Sequence, residues 1–167
     1  MSTGVELFPA GPEHQSALAN LLELYIHDFS ELVPIDVGED GRYGYRSLPL
    51  YWTDKSRLPF LARLDGKLVG FALVTRISEP SSDGEAWDMA EFFVLRRYRH
   101  SGIGTELARK VWLSRPGRWE IRVMEKNVSA CRFWESSITK FTGLSAPSSK
   151  FMADDVTWYR FSLDSRR

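Results

Sequence analysis

The sequence is poor in cysteine and histidine and has no excess of either charge. Its 167 residues include one cysteine and three histidines, so an internal disulfide is impossible and no Cys/His cluster has zinc-site spacing. Lys plus Arg number 22, as do Asp plus Glu, which gives no overall electrostatic reason to bind nucleic acid or an anionic membrane. We therefore expect no metal, no nucleic-acid partner and a reducing compartment.

Long apolar runs are also missing. The first residues lack the basic start and apolar core of a secretory signal, and no stretch approaches the ~20 uncharged apolar residues of a membrane span. Repeats, low-complexity tracts and long linkers are absent as well. We expect a cytoplasmic protein with no membrane partner, folded as a single domain over residues 1–167, with the polar stretch Glu79 to Glu85 as a surface loop.

Apolar periodicity predicts strands that alternate with helices, an arrangement typical of α/β layers. Two dipeptides, Asp65-Gly66 and Asp154-Asp155, are suited to hairpin turns. Residues 30–57 have no clean period and are interpreted as a loop with one short helix. The predicted order is a strand at 5–8, a helix after Glu13, a hairpin of 59–64 and 67–77, a strand at 87–95, a helix at 102–114, a strand at 119–124, a helix from Asn127 to about Ile138, and a hairpin over 151–163.

The segment from Val94 to Thr105 carries the clearest chemical signal. A strand feeds a glycine-containing turn that opens a helix, which leaves backbone N–H groups unpaired at the positive end of the helix dipole. Gly102 and Gly104 remove side chains that would block a phosphate, and Arg99 can add a charge-assisted contact. Leu107 excludes a G-x-G-x-x-G motif, and no Gly-Lys-Ser/Thr of a P-loop is present. The expected ligand is a pyrophosphate.

The remaining pattern, Arg99-His-Ser-Gly102-Ile-Gly104, resembles the R/Q-x-x-G-x-G/A loop with which the GNAT superfamily of N-acetyltransferases holds the pyrophosphate of acetyl-coenzyme A. The order of predicted elements follows that family over most of the chain. The resemblance implies an α/β (α+β) fold with a mixed, mostly antiparallel central sheet of about six or seven strands, helices on both faces, and acetyl-coenzyme A between two splayed central strands. It also implies a frequent homodimer and no metal.

The implied reaction is direct acetyl transfer to an amine of a small molecule or peptide. A non-catalytic acyl-coenzyme A binding or regulatory module, and a protein N-terminal or lysine acetyltransferase, are the alternatives.

The resemblance further implies a set of cofactor-binding positions. Backbone groups of Phe92 to Leu95 would pair with the pantetheine arm as a guest strand does. Arg96 and Arg97 either reach the 3′-phosphate or lie in solvent. Asn127 contacts the arm, caps the following helix, or does both. The whole set is Phe92, Val94, Leu95, Arg96, Arg99, His100, Ser101, Gly102, Ile103, Gly104, Thr105, Asn127 and Trp134.

Two carboxylates of the strand at 87–95 are candidates for the general base. Glu91 has apolar neighbours, a setting that raises a carboxyl pKa, and Asp88 stands where some family members keep a glutamate base. Strand alternation places the two on opposite faces unless a bulge intervenes. We favour Glu91; the alternative is a structural carboxylate paired with an arginine.

Trp134 departs from the family pattern. Many members have a tyrosine general acid at the end of A-x-x-F/L-Y, whereas this chain has Ala130, Phe133 and Trp134 in that pattern. An indole cannot protonate a thiolate, although its N–H can donate a hydrogen bond. The neighbouring Cys131 either forms a covalent acetyl intermediate or is a plain half-buried cysteine, and no His partner is evident.

Charge is uneven along the chain. Residues 96–122 hold eight Lys/Arg against two Asp/Glu, a local +6, and residues 1–60 hold four against nine, a local −5. If the acidic part lines the acceptor side, a cationic amine is the expected acceptor. The resemblance also places the family's variable acceptor wall at Tyr25, Asp28, Tyr43, Tyr45, Tyr51 and Trp52. The aromatic residues there either contact the acceptor or pack under a loop.

Overall fold

The computed structural model describes residues 4–78 and 85–166 and arranges them around a seven-stranded sheet. The strands are β1 (Glu6–Pro9), β2 (Arg57–Leu64), β3 (Lys67–Ser78), β4 (Glu85–Val94), β5 (Arg118–Met124), β6 (Ser148–Ala153) and β7 (Val156–Asp164). Their order is β1-β2-β3-β4-β5-β7-β6, and β4 with β5 is the parallel pair while the other described pairs are antiparallel. The mixed, mostly antiparallel sheet is therefore confirmed.

Helices cover both faces of this sheet. The helix α1 (Gln15–Phe29) buries Leu18 and Leu22 against Phe71 of β3. The helices α2 (Ile103–Ser114) and α3 (Val128–Thr142) build a second apolar core on the other face, which includes Trp112 and Ile138. Shorter 3₁₀ helices lie at Pro12–His14, Leu48–Trp52 and Arg96–Tyr98. Helix α3 runs four residues beyond the predicted end and stops at Gly143, whose φ of 74° is left-handed.

Both predicted hairpin turns are confirmed. Asp65 and Gly66 have φ of 50° and 75° between β2 and β3, and Asp154 and Asp155 have 50° and 60° between β6 and β7. Positive φ at both central residues gives a turn whose twist matches that of the flanking strands. The expected loop at Glu79 to Glu85 falls on residues 79–84, which lie outside the described residues, and Glu85 begins β4.

The two central strands diverge after a short contact. Trp87 pairs with Trp119 and Asp88 with Glu120, and no further β4–β5 pair follows among the described residues. β4 stays paired with β3 from Glu85 to Val94, and β5 with β7 from Arg118 to Met124, so the two strands lose contact only with each other. This divergence opens a V between the two strands, as the resemblance implies.

A β-bulge interrupts β4 inside this opening. Leu73 pairs with Glu91 but the next residue, Val74, pairs with Met89, so Ala90 is an extra residue. Because a bulge residue resets the alternation of side chains, Asp88 and Glu91 lie on the same face of the sheet, the face covered by α1. The expectation of opposite faces holds only for a regular strand and does not apply here.

Within residues 4–78 and 85–166, no helix is both long and apolar enough to span a lipid bilayer.

Candidate active site

Glu91 occupies the centre of a hydrogen-bonded carboxylate site on the α1 face. Tyr25 of α1 donates its hydroxyl to Oε2 at 2.5 Å, and Tyr45 donates to Oε1 at 3.0 Å. Glu91 is half-buried, and burial raises its pKa by more than the two tyrosine hydrogen bonds lower it. The pKa of the carboxyl group is therefore raised from the ordinary glutamate value.

Asp88 has a different environment. It is 2% exposed, and its Oδ2 accepts hydrogen bonds from Arg122 at 2.7 Å and from Thr75 at 3.4 Å. Its Oδ1 has no hydrogen-bond partner among the described residues. Asp88 is thus the carboxylate that pairs with an arginine. Such a structural pairing was the alternative considered for Glu91, and it occurs at Asp88 instead.

Two tyrosine hydroxyls donate to Glu91, and the buried hydroxyl of a third tyrosine, Tyr51, has no hydrogen-bond partner among the described residues. Burial, reinforced by the charge of Glu91, raises the pKa of Tyr25 and of Tyr45 far above the ordinary tyrosine range. The same two causes raise the pKa of Tyr51 to about 12. All three hydroxyls therefore stay protonated at neutral pH, and those of Tyr25 and Tyr45 donate to the carboxylate.

The glycine loop before α2 offers backbone N–H groups. His100 and Gly102 adopt left-handed φ of 59° and 84°, and Gly102 is the N-cap of α2. The first intrahelical bond runs from Glu106 N to Gly102 O at 3.0 Å. In the described part of the chain, the N–H groups of residues 100–105 have no backbone acceptor. They lie at the positive end of the helix dipole, where an anion is stabilised.

The two glycines of this loop serve different purposes. A Cβ on Gly102 would have no heavy atom within 4 Å, so Gly102 is required by its left-handed φ and leaves open space. A Cβ on Gly104 would lie 3.0 Å from Cε2 of Phe133. Gly104 therefore allows α2 to pack closely against α3, and the expectation that it also clears space for a phosphate stays a prediction.

The arginines of the loop pair with Asp28, a partner that the sequence did not indicate. Arg96 donates to Oδ1 of Asp28 from Nε at 3.0 Å and from Nη2 at 2.7 Å. Arg99 donates from Nη2 to Oδ2 at 2.6 Å and from Nε to the carbonyl of Val94 at 2.7 Å. Arg96 pairs with Asp28 while most of its side chain lies in solvent, and its contact with the 3′-phosphate stays a prediction. The Arg99 guanidinium anchors the loop to α1 and β4.

Several predicted cofactor residues use their side chains for the local fold. Ser101 donates to the carbonyl of Tyr98 at 2.7 Å, and the hydroxyls of Thr105 and Ser137 are 3.2 Å apart. Oδ1 of Asn127 accepts from Ala130 N at 3.2 Å, which confirms the helix-cap interpretation. The N–H of Leu95 donates to Val69 O at 2.9 Å. Backbone groups, rather than these side chains, are what the loop can offer a ligand.

Trp134 lies in the core between α2, α3 and the sheet. It is 5% exposed, and its ring centroid is 4.9 Å from that of Phe92 and 4.8 Å from that of Phe133. Phe92 and Ile103 pack against the same core, to which the buried Val94 also belongs, while His100 is exposed. This position favours a packing role for Trp134 over a contact with the cofactor.

Sequence reasoning missed the contacts between Tyr25, Tyr45 and Glu91. The partners are 66 and 46 residues apart in the chain. A hydroxyl-bearing Tyr25 inside the apolar stripe of α1 is the one available signal, because a buried tyrosine hydroxyl usually has a hydrogen-bond partner. The described residues contain no group of three His, Cys, Asp or Glu side chains that could hold a metal ion.

Comparison with known proteins identifies the chain's relatives. The model of the acetyltransferase (GNAT) family matches residues 18–137. No curated protein matches by sequence. Among solved structures, an aminoglycoside N(6′)-acetyltransferase from Legionella pneumophila superposes with a TM-score of 0.70 at 13% identity, over 99% of this chain and 94% of that one.

Two further structures show the same fold. NAA60 of Arabidopsis thaliana in complex with acetyl-CoA has a TM-score of 0.61 at 18% identity, over 96% of this chain and 99% of that one. A histone acetyltransferase HPA2 and related acetyltransferase from Corynebacterium glutamicum has a TM-score of 0.68 at 14% identity, over 95% of each chain. At these identities the likeness concerns the fold.

Proposed function

Because the chain belongs to the acetyltransferase (GNAT) family, we propose that it moves the acetyl group of acetyl-coenzyme A directly to an amine, with Glu91 as the general base. The observation that carries this proposal is the half-buried Glu91 carboxylate beside the V between β4 and β5. A base is needed because a protonated amine has no lone pair for attack.

The reaction releases one proton and regenerates Glu91. Glu91 takes one proton from the ammonium group and passes it to solvent, and the neutral amine nitrogen then attacks the thioester carbonyl as the N–C bond forms. The C–S bond breaks with its electron pair on sulfur, and the second proton lost by the nitrogen passes through Glu91 and water to this thiolate, which leaves as the free thiol. Trp134 takes no part in this step because an indole is not an acid at neutral pH.

The donor would bind along the opening of the sheet. The N–H groups of residues 100–105 would hold the pyrophosphate, and the β4 edge from Met89 to Val94, unpaired on its β5 side, would receive the pantetheine arm. The local charge of +6 over residues 96–122 supports a polyphosphate on this side. Because Val94 O and Leu95 N already have partners, the arm would use the remaining groups of this edge.

The acceptor side supports an amine. Glu91 and the acidic N-terminal part favour a cationic group, and relatives of the same fold include an aminoglycoside acetyltransferase and NAA60 with a bisubstrate analogue. We propose a small-molecule or peptide amine as acceptor. Transfer to a protein N-terminus or lysine, and a binding module without catalysis, are outcomes of the test. A cytoplasmic location and a homodimer remain predictions for fractionation and light scattering.

The test is release of free thiol from acetyl-coenzyme A with polyamines, aminoglycosides, amino acids and peptides. Glu91→Gln is expected to lower the rate by about 10²- to 10⁴-fold, while calorimetry shows unchanged acetyl-coenzyme A binding. Glu6→Gln is the matched control, because Glu6 is exposed on β1 at the edge of the sheet, with β2 and β3 between it and β4. Full activity of Glu91→Gln would show that Glu91 is not the general base, and Asp88 would then be the candidate. Binding without thiol release from any amine would favour the binding module.

A further inference from the structure

We propose that Tyr25 and Tyr45 are positioning residues that hold the Glu91 carboxylate in one orientation and keep it able to accept a proton. This inference rests on the proposed role of Glu91 as the base. It assigns a purpose to two tyrosines that the sequence placed only on an acceptor wall, and it explains how a carboxylate in a largely apolar setting stays available for proton transfer.

The geometry fixes both oxygens of the carboxylate. Tyr25 donates to Oε2 from α1, and Tyr45 donates to Oε1 from the segment that precedes the 3₁₀ helix at Leu48–Trp52. Two donors from separate elements, one on each oxygen, resist rotation of the carboxylate plane. Each oxygen retains a second lone pair, so an amine can still approach.

Both tyrosines are themselves held in place. The Tyr25 ring makes edge contacts with Phe71 and Phe93 at centroid distances of 5.8 Å and 5.9 Å. The segment of Tyr45 is anchored to α1, because the Glu23 carboxylate accepts from Tyr43 N at 2.7 Å and from Gly44 N at 2.8 Å. The two donors are therefore preorganised before any ligand arrives.

The surroundings explain why the carboxylate needs these donors. The titratable and charged groups that face Glu91 are Tyr25 from α1, Tyr45 and Tyr51 from the 45–51 segment, Asp88 from β4 and Arg122 from β5. Burial is the largest influence on the pKa of Glu91 and raises it, and Asp88 adds to that rise. The two hydroxyls and Arg122 oppose it. Without the hydroxyls the group shifts toward the protonated acid, which cannot accept a proton.

The donors do not lose their protons over the working pH range. The pKa values of Tyr25 and Tyr45 are raised by burial and by Glu91, so ionisation of Glu91 strengthens rather than removes the two hydrogen bonds. The two hydroxyls therefore remain protonated donors when Glu91 is ionised.

The experiment compares Tyr25→Phe, Tyr45→Phe and the double variant with the unmodified protein. The first readout is ¹³C NMR titration of the glutamate carboxyl groups, in which the Glu91 signal is identified by its loss in Glu91→Gln. The expected result is a rise of the Glu91 pKa by about one pH unit for each hydroxyl removed. Tyr159→Phe is the matched control, because Tyr159 of β7 lies beside Lys150 and is not in contact with Glu91.

The second readout is the pH profile of thiol release. In the tyrosine variants, the acidic limb of the kcat/KM profile is expected to shift to higher pH by the same amount as the NMR titration. The plateau value of kcat is expected to fall by about tenfold, because the carboxylate is less well oriented. The KM for acetyl-coenzyme A is expected to stay unchanged. A packing defect alone would lower stability without moving the acidic limb.

The outcomes separate the two proposals. An acidic limb that persists in Glu91→Gln overturns Glu91 as the base, while the NMR titration still reports on the tyrosines. The positioning role is overturned by a different pair of results. In Glu91→Gln the acidic limb is lost, while in Tyr45→Phe both the acidic limb and the Glu91 carboxyl titration stay where they are in the unmodified protein. Tyr45→Phe suffices for this test if Tyr25→Phe, which alters the packed aromatic cluster, does not fold.

Discussion

Gly102→Glu and Gly66→Glu form a matched pair that tests the phosphate loop. Gly102 and Gly66 have φ of 84° and 75°, and neither has a heavy atom within 4 Å of the position of a Cβ. An L-residue in left-handed backbone costs about 1–2 kcal/mol. Both variants are therefore expected to lose this amount of free energy of unfolding without a steric clash, and each gains the same charge.

The two variants should differ in acetyl-coenzyme A affinity. A carboxylate about 4 Å from a bound phosphate repels it by about 4 kcal/mol at an effective dielectric constant of about 20. Allowing for the flexibility of the side chain and screening by salt, we expect about 2–4 kcal/mol, or a Kd weakened about 30- to 700-fold, for Gly102→Glu. Gly66→Glu lies in the β2–β3 turn and should bind as the unmodified protein does.

The assays are isothermal calorimetry with acetyl-coenzyme A and denaturation by urea. Denaturation shows whether the two variants lose equal stability, and calorimetry shows whether their Kd values for acetyl-coenzyme A differ. If both variants bind with a Kd within about threefold of each other, the N–H groups of residues 100–105 do not hold the pyrophosphate.

Three further predictions concern stability and chemistry. Gly70→Ala places a Cβ 2.2 Å from the carbonyl oxygen of Phe93, so urea denaturation should show a loss of about 3 kcal/mol or more; a loss below about 1 kcal/mol would contradict the close approach of β3 and β4. Burial raises the pKa of Asp28, but hydrogen bonds from Arg96 and Arg99 outweigh it and the net shift is downward. The contribution of Asp28 to stability is therefore present above an unfolded pKa near ~3.9 and is lost as pH falls through the lower folded value. Asp28→Asn should be less stable by about 1 kcal/mol at pH 7, and denaturation curves of the two proteins should converge at low pH; a constant difference down to acid pH would refute the ion-pair explanation. Burial raises the pKa of the Cys131 thiol, which favours direct transfer, so Cys131→Ser should keep its thiol-release rate, and an acetyl group found on Cys131 by mass spectrometry would refute this.

Local sequence determines the parts of the fold that were predicted well. The Asp65-Gly66 and Asp154-Asp155 turns depend on the φ preferences of two residues, and the start of α2 depends on Gly102. These preferences act within a few residues and need no knowledge of the remaining chain. The glycine loop could therefore be located from the sequence alone.

The parts that could not be predicted depend on contacts distant in the chain. The link between Arg99 and Asp28 joins residues 71 apart, and neither residue has a local pattern that specifies the other. The role of Gly104 depends on Phe133, which reaches it only after α3 packs on α2. The bulge at Ala90 arises from the β3–β4 register, which apolar alternation within β4 alone does not encode.

The bulge also affects how relatives of this protein should be aligned. A regular strand would separate two carboxylates on one face by an even number of residues, whereas Asp88 and Glu91 are three apart because Ala90 is an insertion. Aligning this strand with that of a relative without the bulge requires a one-residue gap at Ala90. Without that gap, the residues on one side of Ala90 would be matched with residues whose side chains lie on the opposite face of the sheet. Equivalent carboxylates in such a relative would then be spaced two apart, and a search for an acid pair at fixed spacing would overlook them.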